Sequence, residues 1–215
     1  MERIPSLTAK ALVDFSRKSP AAKRSLLRKQ KFPGDGASKF QIPYYGLAVA
    51  AIRAFFSEGK HDVKAIRAAK NKAQSKKLLS RRENLLRVLD AFSGSSLRER
   101  RLSTAKNSHH AAALHGMNLK ANPEMTAIEE GRTIHLFFHF GATPLEPERA
   151  QLLADVVYWV LRKEDSRITT SSVEVWDMQA NKVVRPRGAI PETARFIELS
   201  MKEASTLWPE LAPTS

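Results

Sequence analysis

The residues best suited to do chemistry lie in one short stretch, NPEMTAIEEGRTIHLFFHFG, which covers residues 122–141. Its candidate ligands are the carboxylate of Glu124 and the imidazoles of His135 and His139. If the end of this stretch is a β-strand, His135 and His139 share one face of it, because side chains alternate between the two faces. With Glu124 they could form a two-histidine, one-carboxylate site for Zn²⁺ or Mn²⁺. The alternative interpretation is that both histidines occupy a polar or solvent-facing side of a sheet.

Further candidate ligands are His109, His110 and His115, but other catalytic signatures are missing. The chain has no cysteine, which excludes a disulfide framework and a thiolate metal site. It has no GxSxG, P-loop or GxGxxG motif. Apolar runs such as residues 47–51 are too short to span a bilayer, and an acidic Glu2 does not fit a signal peptide. We therefore expect a cytoplasmic protein that has no membrane partner.

The positive charge of the chain is concentrated in its first half. The net charge is +14. Residues 1–106 contain 25 Lys and Arg against 8 Asp and Glu, whereas residues 107–215 contain 11 against 14. Such a local excess favours binding to nucleic acid, with DNA expected before RNA; the alternative is a solvated basic face that aids solubility. The candidate phosphate-binding residues are Lys64, Arg67, Lys70, Lys76, Lys77, Arg81, Arg82, Arg98, Arg100 and Arg101.

Helical patterns dominate before residue 106. Ser6 and Thr8 can cap a helix that runs to about Lys18, and Ser19-Pro20 can start a second, basic helix. From residue 62 to residue 92, apolar residues recur at spacings of three and four, which predicts one long helix. Acidic neighbours are scarce on this helix, so phosphates would complete its basic face.

A loop at residues 33–38, which is rich in Gly and Pro, precedes an apolar segment at residues 44–56. This segment predicts a buried helix, because it is apolar on nearly all sides. Tyr44 and Tyr45 at its start are expected to belong to the core or its rim. The alternative is that they form a platform on which bases stack.

After residue 106 the spacing changes and predicts strands mixed with two helices. We therefore expect an α+β fold, in which a basic helical region (1–106) precedes an α/β core (107–215) with a small mixed sheet flanked by helices. The two regions should form one compact domain. The predicted elements are strands at 117–119 and 133–140, a helix at 146–163, strands at 172–178 and 183–185, and a helix from 191 to about 207.

This order resembles the PD-(D/E)XK nuclease superfamily, especially its RecB-like branch, over about residues 116–186. Pro123-Glu124 stands where the family has its Pro-Asp. Gln151 and Tyr158 echo a glutamine and a tyrosine of the helix that follows the family's catalytic strand. Residues 175–183 look like the hairpin that comes later. The resemblance implies a restriction-endonuclease-like fold.

The resemblance breaks in the strand that carries the family's acidic-apolar-lysine triplet, which falls on Phe137-Phe138-His139. In the family, the acidic groups hold Mg²⁺ and the lysine helps to activate the attacking water. Here Phe137 replaces the second carboxylate and His139 replaces the lysine. Because Glu124 alone is a poor site for Mg²⁺, the resemblance implies a scaffold that has lost catalysis.

Three functions are compatible with these features. The expected one is a nucleic-acid-binding protein on a degenerate, catalytically inactive nuclease-like scaffold, for which no cofactor is expected. The second is an active metal-dependent nuclease, with Glu124 and His139 as catalytic residues and Mg²⁺ or Mn²⁺ as cofactor. The third is an adaptor subunit whose basic helices dock an acidic protein partner, by analogy with small nuclease-like subunits of defence and mobile-element systems.

Overall fold

The computed structural model of the protein describes residues 4–32 and 45–212, and its fold is α+β. The predicted loop at 33–38 and Tyr44 lie outside the described residues. Within the described ranges the helices are α1 Ala9–Ser16, α2 Pro20–Lys31, α3 Gly46–Phe55, α4 Val63–Gln74, α5 Leu79–Ser93, α6 Pro147–Glu164 and α7 Pro191–Leu207. The strands are β1 Ser6–Thr8, β2 Ser103–Ala105, β3 His110–Leu114, β4 Met117–Ala121, β5 Met125–Glu129, β6 Arg132–His139, β7 Val173–Asp177 and β8 Lys182–Val184.

The larger sheet has five strands in the order β2-β5-β6-β7-β8. β5 and β6 form an antiparallel hairpin that turns at Glu130 and Gly131, both with positive φ. α6 then leads from β6 to β7, which runs parallel to β6, since parallel neighbours need a crossover connection. β8 pairs with β7 in the antiparallel sense. A smaller sheet has the order β1-β4-β3, in which β1 is parallel to β4.

The larger sheet separates two apolar cores. On one face, Phe137 of β6 and Val175 of β7 pack with α1, α2, α6, α7 and the smaller sheet. On the other face, Leu136 and Phe138 of β6 pack against α3, α4 and α5. The period-two alternation of β6 therefore sends successive side chains into different cores, which explains why the run from Leu136 to Phe138 is apolar throughout.

The prediction of a single helix from residue 62 to residue 92 is wrong, because α4 ends at Gln74 and α5 begins at Leu79. The hydroxyl of Ser75 donates to the carbonyl of Lys72 at 2.9 Å, and Leu78 has an extended backbone. Such a local bond from a serine side chain competes with continuation of the helix. The break lets the buried sides of both helices meet the same core.

The prediction that Ser6 and Thr8 together cap the first helix is only half right. Thr8 is the N-cap and accepts from the amide of Ala11 at 3.1 Å. Ser6 lies instead in β1, which pairs with β4. This pairing ties the start of the chain to the core, and it fixes where α1 begins.

The other predicted elements are found within a few residues of the expected bounds. The strands β2, β3 and β5 were not predicted. Two of these missed strands are short or alanine-rich: β2 has three residues and β3 reads HAAAL.

Among the helices of the described residues, none has both the length and the apolar composition needed to cross a membrane.

Candidate functional site

Glu124 and His139, the two predicted catalytic residues, line one cavity of about 420 Å³. The cavity lies where α1, α3 and the start of α6 meet the end of β6. Three further charged residues line it, namely Lys10 and Asp14 of α1 and Arg149 of α6. Apolar and aromatic side chains complete the wall, among them Tyr45, Val49, Phe138, Phe140 and Leu145.

Lys10 is the residue of this cavity that the sequence analysis missed. Its ammonium group donates to Glu124 Oε1 at 2.5 Å and to the carbonyl of Phe138 at 2.8 Å. The other carboxylate oxygen of Glu124 accepts from the backbone amide of Phe138 at 2.9 Å. Phe138 is the middle residue of the triplet in which the strand lacks a lysine. An ammonium group thus lies beside that triplet, although it comes from a helix 128 residues earlier in the chain.

His139 owes its place in the cavity to Gly141. A Cβ atom on Gly141 would lie 2.2 Å from His139 Nε2, so the imidazole fits only because residue 141 has no side chain. Nε2 lies 3.2 Å from the carbonyl of Thr143; a carbonyl can only accept, so Nε2 carries the proton in the neutral ring and Nδ1 is the free acceptor.

The electrostatic surroundings keep the His139 ring neutral. Burial lowers the pKa of His139, the bond to Thr143 and the charge of Asp177 raise it in part, and the positive charges of Lys10 and Arg149 lower it again. The net result is a pKa below the ordinary value for histidine. The ring is therefore uncharged at neutral pH and can accept a proton.

A second ion pair joins Asp14 of α1 to Arg149 of α6. Asp14 and Lys10 are four residues apart on α1, so they lie on the same side of the helix. The cavity therefore contains two cations, two carboxylates and one neutral imidazole. This balanced set suits a polar ligand that carries both charge and hydrogen-bonding groups.

His135 does not join this cavity. It is 4% exposed, it lies opposite Thr126 of β5, and its ring meets that of His110 edge-on with 5.5 Å between centroids. Burial and the charge of His110 lower the pKa of His135 to about 4. The expectation of a solvent-facing position is therefore wrong for His135, which is buried beside the polar residues Thr126 and His110.

The predicted site of Glu124, His135 and His139 is not assembled. Across residues 4–32 and 45–212, no group of three or more His, Asp or Glu side chains is placed to hold a metal ion. In the cavity itself, Glu124 is bonded to Lys10 and Asp14 is bonded to Arg149. Mg²⁺ and Mn²⁺ need carboxylate oxygens that are free to coordinate, so the residues present do not fit either metal.

Of the remaining histidine candidates, His109 is exposed, whereas His110 and His115 contact other elements of the fold. His110 Nδ1 lies 2.7 Å from a Glu164 carboxylate oxygen, and His110 Nε2 lies 2.5 Å from the hydroxyl of Ser108. The other oxygen of Glu164 accepts from the Ala111 amide at 2.8 Å, so this chain of bonds ties the edge strand β3 to the end of α6. His115 pairs with Glu198 of α7 at 2.7 Å.

Two residues that carry the family resemblance in α6 also have structural partners. Gln151 donates to Asp155 at 3.1 Å and to the carbonyl of Arg185 at 3.0 Å. Tyr158 is buried in the core, where its hydroxyl accepts from Arg162. Neither side chain belongs to the lining of the 420 Å³ cavity.

The predicted phosphate-binding residues fall into two groups. Arg100 is committed to the core, because it pairs with Glu129 and with Glu174, which is fully buried. Burial alone lowers the pKa of Arg100, but the bonds to both carboxylates outweigh it and raise the pKa. Lys70 pairs with Asp90 at 2.6 Å.

Most of the other predicted phosphate-binding residues have no carboxylate partner in the described part of the chain. They lie on α4, in its connection to α5, at the start of α5, and in the segment between α5 and β2. Leu78 and Leu79, which are 52% and 55% exposed, lie among them. We call this set the basic surface; its members are Lys64, Arg67, Lys76, Lys77, Arg82, Arg98 and Arg101.

Comparison of the chain with models of known protein families and with curated proteins finds no match. The functional argument therefore depends on the cavity, the basic surface and their contacts.

Proposed function

We propose that the protein binds nucleic acid through the basic surface, and that its sheet core serves as a scaffold. The observation that carries this proposal is the set of seven cations without carboxylate partners in residues 64–101 of the described chain. Like charges at helical spacing repel one another. A phosphate backbone would replace this repulsion with attraction and would release its own counterions.

Some cations elsewhere in the fold do have carboxylate partners. Seven of them lie on α1 or just after it, on α2, on α6 and in the segment after β8. The paired cations are Lys10, Arg17, Lys23, Arg24, Arg149, Arg185 and Arg187.

The test is fluorescence anisotropy with labelled duplex DNA, single-stranded DNA and single-stranded RNA across a salt series. About six phosphate contacts would give a log-log slope with salt near −5 on duplex DNA. Replacing Lys64, Lys76 and Lys77 together by Gln should reduce the slope by about three contacts. Failure of all three polymers to bind at about 50 mM salt would overturn the proposal.

The matched control is a triple variant in which the paired cations Arg17, Lys23 and Arg24 become Gln. It removes the same charge from α1 and α2, so it should leave the slope nearly unchanged. An equal loss of affinity in both triple variants would show that net charge matters and that the basic surface does not.

Purification of the protein with a stoichiometric acidic partner and no nucleic acid would favour the role of an adaptor subunit that docks an acidic protein.

Nuclease activity at the cavity is the second candidate, favoured by the convergence of Glu124, His139 and Lys10. We assign no step to a divalent metal, because the donor set does not fit one. The experiment follows cleavage of labelled DNA and RNA with Mg²⁺, with Mn²⁺ and with chelator. Activity of the protein that disappears in both Glu124→Ala and Lys10→Met would support this candidate, and activity that persists in both would reject the site.

A further inference from the structure

An apolar groove of about 290 Å³ lies within the basic surface, between the end of α3, α4 and the end of α5. Its floor includes Phe55, Ile66 and Phe92, all buried. The rings of Phe55 and Phe92 meet edge to face, with 5.2 Å between their centroids. Val63, which is 48% exposed, forms part of the wall. The groove thus offers an apolar binding site beside cations.

The rim of the groove carries two cations that are available to an anion. Arg67 has no carboxylate partner in the described residues, and Arg98 bonds only to the carbonyl of Ser93, at 3.2 Å. Lys70 also lines the groove, but Asp90 neutralises it. A guanidinium group can use its remaining N–H groups on phosphate oxygens.

Arg98 and Ser93 also line a second, more polar cavity of about 430 Å³ next to the groove. His61, Ser95 and Glu99 belong to this cavity. An arginine is therefore flanked by an apolar seat on one side and a polar seat on the other. A nucleic-acid strand has a matching arrangement, because its flat bases alternate with anionic phosphates.

We propose that the groove takes one unpaired base of a single-stranded nucleic acid, with the neighbouring phosphates on Arg67 and Arg98. This inference rests on the proposed function. A base inside a duplex is paired and stacked, so it could enter the groove only after that stack is broken. Burial of a base against the apolar side chains of the groove needs no particular sequence. The groove therefore makes the protein prefer single strands.

The experiment measures the affinity of the protein for an oligothymidine, for a strand of the same length whose sugars lack bases, and for a duplex, all at one salt concentration. The intact strand should bind about tenfold more tightly than the abasic strand, because one seated base contributes on that order. The duplex should bind no more tightly than the abasic strand.

Three variants locate the effect. Val63→Glu places a carboxylate on the wall of the groove at an exposed position, and it should bring the intact strand down to the affinity of the abasic strand. Arg98→Gln removes a rim cation that contacts phosphate, so it should weaken both strands. Lys77→Gln removes a cation of the basic surface that does not line the groove. It should weaken intact and abasic strands by the same factor. Circular dichroism melting checks that each variant is folded.

Each outcome decides between the two proposals. Equal affinity for intact and abasic strands overturns the groove but leaves the basic surface as a phosphate-binding surface. Loss of the tenfold difference in Lys77→Gln as well as in Val63→Glu also overturns the groove, and so does a tenfold difference that persists in Val63→Glu. Absence of binding to every polymer overturns the proposed function itself. Displacement of the intact strand by an acidic peptide that contains phenylalanine, with no effect on the abasic strand, would assign the groove to a peptide.

Discussion

At the scale of single residues, the cavity depends on contacts that residue type alone does not reveal. His139 was a candidate because of its spacing from His135, yet the structure separates the two. The glycine that makes room for the His139 ring lies two positions later. Lys10 gave no local signal, since it is one of 25 basic residues in the first 106. It reaches Glu124 because α1 packs against β4, which ends three residues before Glu124.

Gly141→Ala should displace the His139 ring, because the new Cβ would lie 2.2 Å from Nε2. We expect a loss of about 1–3 kcal/mol in the free energy of unfolding, as for other overpacked sites. The imidazole signals of His139 should also shift in a heteronuclear NMR spectrum. In a His139→Ala background the same glycine substitution should cost much less. Equal costs in the two backgrounds would contradict the assigned contact.

His135 should make the protein less stable in mild acid. Its pKa in the folded state is about 4, against about 6.5 in an unfolded chain. Between these pH values the unfolded chain binds a proton at His135 and the folded protein does not. The contribution of His135 to the free energy of unfolding is therefore fully present above pH 6.5 and is lost as the pH drops towards 4. The loss attributable to His135 reaches up to about 3 kcal/mol.

Urea unfolding of the protein and of His135→Gln at pH 7.5 and pH 5 measures this effect. The glutamine variant should lose less stability between the two pH values than the parent protein. His139 also has a lowered pKa, so part of the acid sensitivity should remain in the variant. An unchanged pH dependence in His135→Gln would remove His135 as a cause.

At the scale of elements, hydrophobic periodicity predicts those helix bounds that are set by the local sequence. The bounds of α6 and α7 could be read from the sequence, because each begins at a proline and continues with a long amphipathic pattern. The break between α4 and α5 could not be read, since the apolar stripe continues across it. β5 was missed because its five residues give too little alternation to recognise.

Arg100 shows how an element-level contact changes the role of a basic residue. It joins the segment before β2 to Glu129 of β5 and to Glu174 of β7, and Glu174 also pairs with Arg185. Burial raises the pKa of Glu174, but the bonds that it accepts from Arg100, Trp176 and Arg185 outweigh burial and lower the pKa. This carboxylate is therefore ionised in the interior and needs its cations.

Arg100→Met should cost about 3 kcal/mol or more of folding free energy, since it leaves a buried carboxylate without one of its two cations. Arg101→Met, at the exposed neighbouring position, should change stability by less than about 0.5 kcal/mol and should weaken nucleic-acid binding instead. Thermal unfolding and anisotropy measured on both variants give this comparison. Similar stability in the two variants would show that Arg100 is not structural.

At the scale of the whole molecule, the α+β class followed from the order of patterns, but the layering did not. The sequence separates a basic half from a near-neutral half at residue 106. The structure instead places α1 and α2 on one face of the larger sheet and α3, α4 and α5 on the other. This arrangement depends on pairings between distant segments, such as β1 with β4, which no local pattern specifies.

The layering predicts where nucleic acid protects the protein. The basic surface belongs to the layer of α3, α4 and α5. On the opposite face, Lys23 and Arg24 of α2 pair with Glu203 of α7 and with Glu210 after it. Hydrogen exchange should therefore slow on nucleic-acid binding in α4, in α5 and at residues 94–102, and it should stay unchanged in α2 and α7. Slower exchange confined to α2 and α7 would contradict this, because it would place the binding surface on the opposite face of the larger sheet.

A single-stranded ligand should slow exchange at the end of α5 more than a duplex does, because only an unpaired base enters the groove beside Phe92.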